Sequence, residues 1–198
     1  MPVKAMAFGG RHYRTSRDGS ITYVDQNFDV YAVEYTFADG SSFMFDGRCM
    51  EGCSEIYSSF AHGSKGMAVV SKGGDCGMPS SIHKGQNPDR DSLVWESKVP
   101  AGEGDPYTNE WMDLVTAIRN DQPYNEVKRG AEASMVTSMG RMSAHTGQVV
   151  TFDEILNSTH EFAPTVADLS VDGPAPLLVD ANGRYPVPQP GIIKDREY

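Results

Sequence analysis
Cysteine is scarce in this chain. Cys49, Cys53 and Cys76 are the only three among 198 residues, too few to staple a fold. Cys49 and Cys53 have a metal-like spacing, yet no second pair and no nearby histidine completes a zinc set. No metal is expected, and the thiols read as buried or half-buried in a reducing compartment. Long apolar runs are also missing. Nothing approaches the run of about 18 residues that reads as a membrane helix, and the N-terminus has no apolar signal-peptide core. A soluble, cytoplasmic chain is expected, although a full-length parent could carry an export signal. Positive charge is thin: 17 Lys and Arg stand against 27 Asp and Glu, a formal net charge of -10. With no basic cluster, nucleic acid and anionic membranes are poor partners. No G-x-G-x-x-G and no P-loop occurs, so no glycine turn is there to cradle a dinucleotide pyrophosphate. Without G-x-S-x-G, a hydrolase using Asp, His and Ser lacks its local signature.

What is present suffices for a folded domain, since 198 residues with 39% hydrophobic content can bury a sizeable core. The most structured stretch runs from Pro106 to Ser158. Trp111, Leu114, Val115 and Ile118 fall at i, i+3, i+4, i+7 and predict one apolar stripe on a helix. Asp105-Pro106 suits its N-cap and first position, and Asn120 to Pro123 stops it. A second helix is predicted from Glu126 to His145, with Gly147 as its left-handed cap. On it Ala131, Met135, Met139 and Met142 form an apolar line beside the small residues Gly130, Ser134 and Ser138, which predicts tight packing on a sheet. Gln148 to Val150 reads as a short strand, and Thr151 to Glu154 as a capping box opening a short helix.

The first fifty residues read as strands. Val3 to Phe8 and Ile21 to Val24 are extended runs, and Asp29 to Phe37 returns through Ala38-Asp39-Gly40 into Ser41 to Asp46. Asp-Gly between two β-rich runs is a strong hairpin signal. Val30, Ala32, Glu34 and Thr36 give one mixed face, while Tyr31, Val33, Tyr35 and Phe37 give an apolar one. That alternation predicts a sheet with helices on one side and the other side partly open. Phe60 to Val70 reads as a turn leading into a strand, Gly73 to Pro88 as loop, and Ser92 to Glu96 as a strand. Phe162 to Tyr198 is proline-punctuated and extended, wrapping the domain or reaching a neighbour.

The residues Pro106-Tyr107, Glu110, Ile118-Arg119, Pro123, Asn125-Glu126, Met139-Gly140-Arg141, Ala144, Thr146-Gly147, Val150-Thr151 and Asp153-Glu154 match a spaced signature. It resembles the C-terminal domain of the bacterial-type Gfo/Idh/MocA oxidoreductases, with Trp111 where His is usual and Phe152 for Trp. His62-Gly63-Ser64-Lys65-Gly66 resembles that family's turn before a strand. The resemblance implies an α+β fold, an open, mostly antiparallel β-sheet with helices packed on one face and no Rossmann domain. It implies a domain over residues 1–163 and a Pro-rich tail over 164–198. In that family the open face pairs with a second subunit, so a homo-oligomer is implied.

The family's catalytic lysine, in a Glu-Lys-Pro motif, and its Asp-x-x-x-His helix do not occur here, and Met1-Pro2-Val3 is expected to follow directly on that helix. The implied function is therefore the substrate-side and oligomerisation half of an NAD(P)-dependent oxidoreductase acting on a sugar, cyclitol or derivative. NAD or NADP belongs to the full-length protein, and the isolated chain is expected to be inactive, with no catalytic, cofactor or metal residues of its own. A stand-alone sugar-binding or assembly module is the alternative. Tyr107, Glu110 and Trp111 are substrate candidates because the family's chain nears its cleft there. Arg48 and Lys65 stand at strand ends, able to bond hydroxyls, and His62 is ionisable near neutral pH. The bland alternatives are Trp111 as core, Glu110 and Arg141 in ion pairs, and His145 as a helix C-terminal cation.

Overall fold
The computed structural model describes residues 1–11, 14–15, 22–23, 27–72, 79–98, 105–161, 163–175, 178–181 and 184–197, with backbone alone at 14–15 and 22–23. In chain order the strands are β1 (Lys4–Gly10), β2 (Arg14–Thr15), β3 (Thr22–Tyr23), β4 (Val30–Thr36), β5 (Ser42–Arg48), β6 (Ser58–His62), β7 (Gly66–Lys72), β8 (Ser81–Lys84) and β9 (Leu93–Glu96). Helices α1 (Pro106–Arg119) and α2 (Val127–Thr146) follow, then β10 (Val150–Thr151) and α3 (Phe152–Leu156). The fold is α+β, built on antiparallel sheets that do not close into a barrel. Its strands fall into two four-stranded sheets, β10-β1-β4-β5 and β6-β7-β8-β9, plus the ribbon β2-β3. Two compact units carry them: residues 1–52 with 126–198, and residues 53–125.

In the first unit β4 and β5 turn on Asp39-Gly40 as the dipeptide predicts, with Gly40 at φ +82° and the Phe37 N–H donating to the Ser41 carbonyl at 2.8 Å. Period-two alternation then sorts the side chains. Ala5, Ala7, Val33 and Tyr35 are buried, and α2 lies over β1 and β4 on that face. Met6, Glu34 and Met44 face one another across β1, β4 and β5, and Phe8 lies on the same side. That side is open: Met6, Phe8 and Met44 are all well exposed.

The α2 packing is shorter than the sequence suggests. Met139 through Thr146 carry its buried residues, whereas Ala131 and Ser134 are exposed. Close approach occurs at Gly140, where an added Cβ would lie 2.3 Å from Tyr35 Oη and 3.2 Å from Val33 Cγ1. At Gly130 a Cβ would meet nothing within 4 Å. A row of small residues therefore marks this interface only near the helix's C-terminal end. Gly147 takes φ +71°, its N–H donates to the Ser143 carbonyl, and the chain enters β10 against β1. At α3 the capping box forms, with the Glu154 N–H donating to Thr151 Oγ1 and the Thr151 N–H donating to Glu154 Oε2.

Two further readings need correction. Ser81–Lys84, inside the stretch read as loop, is the strand β8; with Ile82 as its only large apolar residue it gives too little alternation to be recognised. Of the thiols expected to be buried or half-buried, Cys53 is half-buried as expected, whereas Cys49 is exposed, both in the irregular segment between β5 and β6. Ile21, Val24, residues 73–78, 99–104, 176–177, Phe162, Cys76 and Tyr198 lie outside the described residues.

Candidate functional site
Five of the six side chains singled out from the sequence belong to the 53–125 unit. His62 and Lys65 belong to the β6–β7 hairpin, whose turn Gly63-Ser64-Lys65 is closed by the Gly63 N–H donating to the Gly66 carbonyl at 2.8 Å. Gln86, just past β8, braces that turn. Its Nε2 donates to the carbonyls of Gly63 at 2.8 Å and Gly66 at 3.2 Å. The amide orientation is thereby fixed, and Oε1 stands 2.7 Å from His62 Nδ1. An amide oxygen only accepts, so Nδ1 holds the proton it donates, and Nε2 has no hydrogen-bond partner among the described residues.

Beside the turn the sheet is pulled close. Gly66 is opposite Lys84 in the register, and a Cβ there would lie 2.2 Å from the His83 carbonyl oxygen. Only glycine fits, so no side chain stands next to Lys84 on β7. Ala61, Ala68 and Ile82 are cross-strand neighbours on one face, and with Val94, Lys65 and Lys84 they line an open depression of about 590 Å³. Neither lysine ammonium has a hydrogen bond or ion pair among the described residues. Lys84 and Gln86 were not singled out from the sequence. The signal that could have found them is the run His83-Lys84-Gly85-Gln86, had its strand been recognised.

Tyr107, Glu110 and Trp111 share the N-terminal half of α1. Asp105 caps that helix, its carboxylate accepting from the Tyr107 N–H at 3.1 Å and from the Thr108 hydroxyl. The Thr108 hydroxyl, followed by the backbone N–H groups, holds the Asp105 carboxyl below its usual range. All three candidates are exposed, and the reading of Trp111 as core is overturned by its 66% exposure. The helix buries only Ala117. Trp111, Met112 and Val115 line a groove along α1 that shares no lining residue with the hairpin depression. Arg48 ends β5 in the other unit, opposite Val30, and is exposed.

Two histidines are buried, which the sequence did not show. His83 contacts Ser81 Oγ through Nε2 at 2.9 Å and Ser92 Oγ through Nδ1 at 3.0 Å, tying the 87–92 segment to the sheet. His145, read as a helix-end cation, is fully buried. Its Nδ1 lies 3.2 Å from Glu197 Oε2, which also receives Arg141 Nη2 at 2.7 Å. A carboxylate only accepts, so Nδ1 carries a proton, and Nε2 lies 2.7 Å from the Tyr31 hydroxyl. Phe28 packs edge-on to the imidazole, and the Gly191 N–H donates to the Thr146 carbonyl at 2.8 Å. The C-terminal segment thus straps the end of α2, with Arg141 in the ion pair weighed as its alternative role.

Helix N-termini favour negative charge, whether a bound anion or an acidic side chain. All three described α-helices open on carboxylates: Asp105 at α1, Glu126 at α2, and Asp153 and Glu154 at α3. Among the described residues no group of three His, Cys, Asp or Glu could hold a metal ion, and no helix is long and apolar enough to cross a membrane. Neither protein-family models nor curated proteins match this chain.

Proposed function
We propose that the chain is the substrate-side and oligomerisation portion of an NAD(P)-dependent, cytoplasmic oxidoreductase of the Gfo/Idh/MocA type, acting on a sugar, cyclitol or derivative. The observation that carries this reading is the open sheet of the first unit. It is backed by α2 on one face only, and the spaced signature supplies the fittings: Gly140 at the close approach, Gly147 at the cap, Thr151 and Glu154 in the capping box. The exposed Met6, Phe8 and Met44 give the other face an apolar patch suited to a second copy of the chain. In this reading the substrate would meet the hairpin depression, an open surface with an apolar floor and few polar groups.

In this reading the cofactor supplies hydride transfer from a partner domain, and this chain's residues bind and orient the substrate. Calorimetric titration of the chain with NAD and NADP tests the division of labour. No saturable heat is expected with either nucleotide. Micromolar binding of either would contradict the proposal.

A further inference from the structure
We propose that the depression beside the β6–β7 hairpin is an anion subsite, in which Lys65 and Lys84 hold the carboxylate or phosphate of a small acidic sugar whose ring lies on Ala61, Ala68, Ile82 and Val94. For the ring the inference rests on the sugar-side reading above; for the charge it rests on the lysines alone. Lys65 and Lys84 border one depression, and neither is paired with a carboxylate among the described residues.

Their placement is built rather than incidental. Lys84 is fixed opposite Gly66 by the β7–β8 register, and the Lys65 carbonyl accepts from the Gly85 N–H at 3.3 Å. Gln86 braces the turn that carries Lys65, through Gly63 and Gly66. The glycine at position 66 keeps the lane beside Lys84 clear. A two-lysine rim above an apolar floor suits a ligand with an anionic end and a C–H-rich ring face. A neutral polyol would leave both ammonium groups without a counter-charge.

The test titrates the full chain by NMR or calorimetry with glucuronate, glucose 6-phosphate, inorganic phosphate and glucose. Saturable millimolar binding of at least one acidic sugar is expected, tighter than glucose and weakened by added salt. Lys65→Met and Lys84→Met should each weaken it about two- to fivefold, as befits screened surface charges. Lys72→Met, at the far end of β7, should leave it unchanged. Preference for glucuronate identifies a carboxylate, and preference for glucose 6-phosphate a phosphate; either outcome supports the subsite. No saturable binding of either acid, or anion binding that survives both lysine substitutions, overturns it. Glucose bound as tightly as the acids sinks the anion subsite while leaving the sugar-side reading standing. Inorganic phosphate bound as tightly as glucose 6-phosphate overturns the ring's part in it.

Discussion
At the scale of single residues, the two helical glycines of α2 show how context sets the sign of one substitution. Replacing a helical glycine by alanine gains about 1 kcal/mol of propensity. At Gly130 nothing stands within 4 Å of the new Cβ, so Gly130→Ala should stabilise by up to about 1 kcal/mol. At Gly140 the Cβ would press on Tyr35, whose hydroxyl donates to the Val136 carbonyl at 3.0 Å and cannot retreat without losing that bond. Overpacking costs about 1–3 kcal/mol and outweighs the propensity gain. Gly140→Ala should therefore destabilise by about 1–2 kcal/mol, with urea midpoints of the two variants moving in opposite directions. Burial also pushes the Tyr35 hydroxyl above its usual range, in keeping with its place under α2.

At the scale of elements, local chemistry forms the caps and distant packing decides which faces are used. The capping box at α3 was legible because every partner lies within four residues: Thr151 and Glu154 satisfy each other's backbone N–H groups. Thr151→Ala should cost about 1 kcal/mol at neutral pH. Hydrogen bonds from the Thr151 backbone and hydroxyl lower the Glu154 pKa. A lowered folded-state pKa means the stabilisation is present above the unfolded carboxyl range and fades as pH falls through the folded value. The gap between parent and Thr151→Ala in urea unfolding should accordingly narrow on acidification. The stripe Trp111, Val115 and Ile118 was just as legible as a periodic pattern, yet these side chains are exposed. Periodicity reports that a face is apolar and says nothing of what covers it.

At the scale of the whole molecule, the open sheet of the first unit makes the assembly proposal testable. Met6, Phe8 and Met44 are 60%, 72% and 60% exposed, more apolar surface than isolated residues require. Sedimentation of the parent chain should show concentration-dependent dimers or larger species. Phe8→Lys, placed on the open face away from the α2 core, should shift the distribution to monomer without loss of helical signal. A parent that stays monomeric at high concentration would sink the paired-face reading.

The sequence by itself determined the α+β class, the Asp39-Gly40 hairpin, both long helices with their caps, and the capping box. Each depends on residues a few positions apart, whose steric limits and hydrogen bonds act wherever the segment ends up. Only the tertiary structure decided the division of strands between two sheets, the strand β8, and the meeting of Lys65 with Lys84 around one depression. It also decided the burial of His145 against Glu197, 52 residues away. Pairing between distant segments depends on register and close approach, and no local pattern of residue types encodes which strand or tail will arrive.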